Sequence, residues 1–175
     1  FNWESEFKKF TPDIKLGIAY GNKSHREKVL DDIEEYDVIL TSYGTYKNDM
    51  DKYESLEFDY CIIDEAQNIK NPDSIITKAV KKVNAKVKFA LTGTPIENNL
   101  MELWSIFDFV MPGYLYNKNK FEKTFVNNEK NHVQLKNLIK PFMLRRTKRE
   151  VIDELPEKIE QKFYVELDKE HKRAY

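Results

Sequence analysis

Tyr60-Cys61-Ile62-Ile63-Asp64-Glu65-Ala66-Gln67 is an apolar run that stops on two adjacent carboxylates. A short unbroken apolar run bounded by polar residues is the pattern of a strand buried on both faces of a sheet. Two further runs on its N-terminal side read the same way. Ile14 to Tyr20 is a short strand, and Val38-Ile39-Leu40 is another, followed by Thr41-Ser42-Tyr43-Gly44. Between them, Ser24 to Tyr36 reads as a helix, with Ser24 and Glu27 as a capping box and Val29, Leu30 and Ile33 on one face. On the C-terminal side, Pro72 suits a first helical turn, and Ile75, Ile76, Ala79, Val80 and Val83 mark a helix face. Val87 to Leu91 is the fourth strand, followed by Thr92-Gly93-Thr94-Pro95. Strands alternating with helices predict an α/β domain with a largely parallel sheet.

Leu100 to Met111 departs from that pattern. Only Glu102, Ser105 and Asp108 are polar, and they lie three apart on one stripe, so this helix must be buried on most sides. Pro112-Gly113 ends it. Two helices are expected around 118–128 and 131–139, with Pro141 closing the second. Thr147 and Glu150 form a capping box for a short helix that Pro156 ends, and Phe163, Val165 and Leu167 alternate as in a strand.

Composition narrows the function classes. In 175 residues, 29 Lys and Arg balance 30 Asp and Glu, so any basic surface for nucleic acid must be local. The hydrophobic share of 41% and aromatic share of 13% belong to a folded chain. A single cysteine, Cys61, excludes an intrachain disulfide and a multi-cysteine zinc site. No apolar run approaches the ~20 residues that span a bilayer, so no membrane partner is expected. The chain starts at Phe1 without a signal peptide, and its wording is rich in Lys, Asn and Ile. The expectation is a bacterial cytoplasmic protein, cut from something longer.

Ligands of open parallel sheets bind at the carboxyl ends of strands. Three runs end there in polar sets: Thr41-Ser42, Asp64-Glu65 and Thr92-Gly93-Thr94. If the strands are parallel, all three converge on one rim. Asp64 would face a hydrated Mg²⁺, and Glu65 could orient or deprotonate an attacking water. An acidic pair after a strand can equally cap a turn, and Thr92-Gly93-Thr94 can be an ordinary turn into a helix. Gly17 to Ser24 nearly spells a phosphate loop, but Asn22 stands where the pattern requires glycine, so a turn into a helix is expected. From Lys136 to Arg149 there are six basic residues and no acid: Lys136, Lys140, Arg145, Arg146, Lys148 and Arg149. Guanidinium groups can grip phosphate oxygens in pairs. His25, His132 and His171 are scattered and read as surface residues, and Ser42 lacks the context of a hydrolase elbow. A metal-dependent nuclease on Asp59, Asp64 and Glu65 stays open, as does a non-catalytic module docking DNA or protein.

DEAQNIKNP at Asp64 to Pro72, LTGTPIENNLMELWSIFDF at Leu91 to Phe109 and PFMLRRTKREV at Pro141 to Val151 closely resemble the Swi/Snf-type DNA translocases, superfamily-two helicase-like ATPases. The likeness runs from NWESEFKKF at Asn2 to Phe10 through LPEKIEQKFYVEL at Leu155 to Leu167. It implies an α/β fold. The chain would be a partial RecA-like lobe with a mostly parallel sheet flanked by helices, lacking the phosphate-loop strand, with a helical C-terminal extension. It implies a first lobe over 1–111, a helical extension and inter-lobe crossing over 112–157, and the start of a second lobe over 158–175. Asp64 and Glu65 would be the Walker B acids. Gln67, Thr92, Gly93 and Thr94 would couple the nucleotide site to the second lobe. Thr41, Ser42, Tyr43, Arg145, Arg146 and Lys148 would contact the DNA backbone. The implied cofactors are ATP and Mg²⁺, and the implied partners are double-stranded DNA and transcription or repair proteins. The family's Gly-Lys-Thr loop does not occur in this sequence, so the strand at Val87 to Leu91 is expected to be an unpaired edge, open to strand addition or dimerisation. The fragment alone is expected to lack ATPase activity.

Overall fold

A computed structural model describes residues 2–93, 100–146 and 150. The chain divides into two compact units, residues 1–135 and 136–175. The first opens with helix α1 (Asn2–Phe10), strand β1 (Leu16–Ile18), α2 (Lys23–Asp31), β2 (Val38–Leu40), α3 (Tyr43–Asn48) and α4 (Met50–Tyr53). It continues with β3 (Phe58–Ile63), α5 (Ile75–Lys81), β4 (Ala85–Ala90), α6 (Leu100–Val110) and α7 (Lys118–Phe121). Helix α8 (His132–Ile139) follows. In the second unit, Lys140–Phe142 form a 3₁₀ turn with Pro141 near its start, and Phe142 and Leu144 are exposed.

The strands form two parallel pairs, β1 with β2 and β3 with β4. Leu16 stands opposite Val38, and Ile63 opposite Ala90. The fold is therefore α/β with parallel strands and flanking helices, as the alternation predicts. Among the described residues β4 pairs only with β3, so its other edge carries no ladder. Inward, Ile63 and Ala90 join Val29, Leu30, Tyr53, Ile69, Val80, Ile106 and Phe109 in the core. Outward, Tyr60, Ile62, Val87 and Phe89 are exposed on the same two strands, as is Leu91 just past the end of β4.

Local chemistry sets the boundaries. The cap of α2 is Asn22, whose side chain accepts the His25 N–H at 2.9 Å, and not Ser24. Gly21 before it is left-handed, at φ 92°. The near-phosphate-loop segment is thus the end of a strand and a turn into a capped helix. That helix stops at Asp31, and a separate 3₁₀ turn covers Ile33–Glu35. Ser74 caps α5 by accepting the Thr77 N–H, which leaves Pro72 ahead of the helix instead of inside its first turn. Arg26 donates two bonds to Asp49, at 2.6 and 3.0 Å, tying α2 to the start of α4. The guanidinium holds the Asp49 carboxyl below the usual carboxylate range. The helix expected over 118–128 is split: after α7 the backbone widens into a π turn over Glu122–Val126. The Thr124 and Phe125 carbonyls there meet the side chains of Asn131 and His132, at 2.9 Å each. The expected helix after Thr147 and the strand at Phe163 to Leu167 lie outside the described residues.

Gly17 shows how tightly β1 lies against its neighbours. A methyl group there would stand 2.6 Å from Ile39 Cδ1 and 2.9 Å from the Tyr36 ring. Gly17→Ala therefore destabilises the chain by about 1–3 kcal/mol, the range for overpacking. Gly44→Ala, with nothing within 4 Å and a helical setting, is neutral or slightly stabilising. Urea unfolding of the two variants beside the parent chain checks both. Equal midpoints for all three would refute the close packing.

Candidate functional site

The site is the carboxyl rim of β3 and β4. Beyond the ladder, the Leu91 N–H donates to the Ile63 carbonyl at 2.8 Å, and the Ala66 N–H donates to the Leu91 carbonyl at 2.9 Å. These bonds carry the pairing one step past each strand, so the acids Asp64 and Glu65 leave the sheet beside Thr92.

Glu65 sits in the left-handed region, at φ 49° and ψ 52°. For a residue with a Cβ that conformation costs about 1–2 kcal/mol. Three bonds hold it there. The Glu65 N–H donates to Asp64 Oδ1 at 2.8 Å, and the Asn68 side-chain amide and backbone N–H both donate to the Glu65 carbonyl at 2.9 Å. The chain then enters a 3₁₀ turn over Ala66–Ile69, in which Ala66 and Ile69 are fully buried.

Gln67 ties this turn to β4. Its amide donates to Glu65 Oε2, and its carbonyl oxygen accepts the Thr92 hydroxyl at 2.9 Å. Glu65, Gln67 and Thr92 thus form one line of hydrogen bonds. Gly93 follows Thr92 and is exposed, and Thr94 lies outside the described residues. From behind, α6 supports the turn. Ser105 is fully buried and its hydroxyl donates to the Ile69 carbonyl at 2.6 Å. Glu102 Oε1 lies 3.9 Å from Lys70 Nζ, and Asp108 meets Lys81 at 2.8 Å. The polar stripe on this apolar helix is its grip on the acidic turn and on α5.

Two more elements reach Asp64. The Tyr43 hydroxyl, from the first turn of α3, donates to the Asp64 carbonyl at 2.6 Å. Burial pushes the Tyr43 phenol up, and the charges of Asp64 and Glu65 add to the rise, so it stays a protonated donor. The Trp3 indole, from α1, donates to Asp64 Oδ2 at 2.9 Å. Neither contact was legible: 61 residues separate Trp3 from Asp64, and no spacing rule joins a lone aromatic to a distant acid.

The remaining sequence-derived candidates divide. The Thr41 hydroxyl donates to the Ala19 carbonyl at 3.1 Å, linking β2 to the end of β1. Ser42 caps α3 by accepting the Thr45 N–H, and its hydroxyl also meets Thr45 Oγ1 at 2.9 Å. Arg145 and Arg146 belong to the second unit and are exposed, and Lys148 lies outside the described residues.

As metal ligands, Asp64 and Glu65 offer the hard oxygens that Mg²⁺ prefers. Among the described residues no group of three or more His, Cys, Asp or Glu could hold an ion. Two adjacent carboxylates would suit such an ion held through its water.

Comparisons with known proteins agree on one family. A family model described as the SNF2-related domain matches residues 1–175. The chain is 46% identical over 177 residues to an uncharacterized ATP-dependent helicase of Mycoplasma genitalium, covering 99% of this chain and 17% of that protein. It is 37% identical over 191 residues to the TATA-binding protein-associated factor MOT1 of Saccharomyces cerevisiae, covering 99% of this chain and 10% of that protein. Among solved structures, the SWI2/SNF2 ATPase core of Sulfolobus solfataricus in complex with dsDNA superposes with a TM-score of 0.79 at 41% identity. That match covers 89% of this chain and 33% of that one. The chain spans less than a fifth of the length of these curated relatives.

Proposed function

This chain belongs to the SNF2-related domain family of Swi/Snf-type helicase-like ATPases, and on that premise we propose that it is the acid-bearing part of an ATP-driven translocase on double-stranded DNA. The observation that carries the reading is the hydrogen-bonded line from Thr92 through Gln67 to Glu65, set beside Asp64. A translocase must turn the state of its nucleotide into movement. A polar line from the acids to a neighbouring strand suits that task.

In this reading Asp64 takes the water shell of Mg²⁺, and Glu65 orients the attacking water and accepts its proton. Bound ATP and Mg²⁺ supply the phosphoryl group and neutralise the charge that develops on it. Gln67 senses the position of Glu65 and passes it to Thr92, and onward to Gly93 and Thr94. Thr41, Ser42 and Tyr43, with Arg145, Arg146 and Lys148, meet the phosphate backbone of the duplex, which allows stepping with little sequence preference. The likeness to a core solved with dsDNA supports the duplex as substrate. Relatives named TATA-binding protein-associated factors support a partner in transcription. Residues 1–111 are then the body of the first lobe, 112–157 a helical extension and crossing, and 158–175 the entry to the second. The bacterial cytoplasm, on the nucleoid, is the proposed location.

The test uses the full-length protein. Phosphate release is stimulated by duplex DNA, and ATP drives displacement of a third strand from a triplex. Asp64→Asn removes both activities while duplex binding persists. Stimulated turnover that survives Asp64→Asn would sink the translocase reading and leave a docking module.

A further inference from the structure

The contact between Trp3 and Asp64 has no part in the mechanism above. Trp3 lies in the first turn of α1, a helix that buries none of its side chains fully. An open cleft lined by Phe7, Ile14, Leu16 and Ile18 separates that helix from β1. Trp3 is 43% exposed, and its ring leans on Phe7, ring centres 6.4 Å apart. Little packing fixes this ring, yet its N–H meets a carboxylate oxygen 61 residues away at 2.9 Å.

The bond completes the coordination of Asp64 by donors. Oδ2 accepts Trp3, Oδ1 accepts the Glu65 N–H at 2.8 Å, and the backbone carbonyl accepts Tyr43 at 2.6 Å. The Glu65 bond comes from the adjacent peptide and moves with it. The Tyr43 bond fixes the main chain only. The indole is the donor that fixes the rotation of the carboxylate from outside its own loop. Each carboxylate oxygen accepts about two bonds, so one lone pair on each stays free for ordered water. Indole is suited to this use, because it donates one bond and accepts none.

We propose that Trp3 is a positioning residue for Asp64, setting the carboxylate so that its free lone pairs meet the water shell of the bound divalent cation. This rests on the reading that Asp64 serves that cation. Removing the indole N–H frees the carboxylate to turn, and the cation binds more weakly while the chemistry at saturation is unchanged. A charge-assisted hydrogen bond of this kind is worth about a tenfold change in affinity.

The experiment uses Mn²⁺, whose free form is counted by electron paramagnetic resonance, titrated into the full-length protein with a non-hydrolysable ATP analogue. Trp3→Phe keeps the ring against Phe7 and deletes the donor. It is expected to raise the Mn²⁺ concentration for half-binding about tenfold, with an unchanged melting temperature. In turnover assays the half-saturating Mn²⁺ rises in parallel, and kcat at saturating Mn²⁺ stays within about twofold. Asp64→Asn runs beside it. If Asp64→Asn weakens Mn²⁺ binding and Trp3→Phe does not, the positioning role is overturned and the acid's role stands. Tighter Mn²⁺ binding by Trp3→Phe also overturns it, since the indole would then compete with the ion's water. If Asp64→Asn leaves Mn²⁺ binding unchanged, the reading beneath the proposal falls, and the proposal with it.

Discussion

On the proposed reading, Glu65→Gln in the full-length protein is expected to lower kcat for DNA-stimulated ATP hydrolysis by roughly 10³-fold, within the range for loss of a general base. Nucleotide binding changes little, because the substitution keeps shape and removes only the capacity to accept a proton. The structure makes this a clean exchange. Gln67 donates an N–H to Glu65 Oε2, and a glutamine oxygen at position 65 can accept the same bond. The bonds from the Asn68 side-chain amide and backbone N–H to the Glu65 carbonyl do not involve the Glu65 side chain. The turn therefore survives, and the line to Thr92 with it. Rapid-quench measurement of phosphate release, with filter binding of nucleotide in parallel, separates the two quantities. Turnover within tenfold of the parent protein would show that Glu65 is not the group that activates water.

Phe109→Ala produces a large loss of stability. Phe109 is fully buried in the core that α6 shares with β4. The Lys88 ammonium stands 5.2 Å from the centre of its ring. Burial lowers the pKa of that lysine, consistent with its stem lying across apolar surface. Deleting a buried aromatic ring costs about 3–5 kcal/mol. For a unit of this size that lowers the melting temperature by about 10 °C or more. Val133→Ala, at a side chain 70% exposed, stays within about 0.5 kcal/mol. Thermal unfolding of the chain followed by circular dichroism compares them. A Phe109→Ala midpoint within about 2 °C of the parent would mean that α6 is not held by this ring. The loss also reaches the site, since the same helix presents Ser105 to the Ile69 carbonyl and so carries the turn that bears Gln67.

The four strands were legible because each is an apolar run stopped by polar residues; their ends moved by a residue or two, and burial on both faces did not hold, since Tyr60, Ile62, Val87 and Phe89 are exposed. The buried helix from Leu100 was legible from its apolar composition, but what its polar stripe grips was not. The starts of α2 and α5 differ from the reading, which put Ser24 at the cap of the first and Pro72 in the first turn of the second. Asn22 and Ser74 cap them through side-chain bonds that composition does not rank. Helix α1, and α3 and α4 after Ser42, were not read from periodicity, because short helices bury too few residues to leave a clear pattern. At the site, residues adjacent in sequence or on neighbouring strands could be grouped in advance: Asp64 with Glu65, and both with Thr92. The left-handed backbone at Glu65, the Tyr43 hydroxyl on Asp64 and the Trp3 indole could not. Each depends on how separate elements meet in space.

The left-handed backbone at Glu65 bears on engineering. Glycine would relax there at no steric cost, and asparagine at little, so libraries filtered only for heat tolerance drift toward those residues at position 65. Such a drift would harden the scaffold while discarding its proposed base. A designer seeking a sturdier variant should hold that codon fixed and look for gains elsewhere.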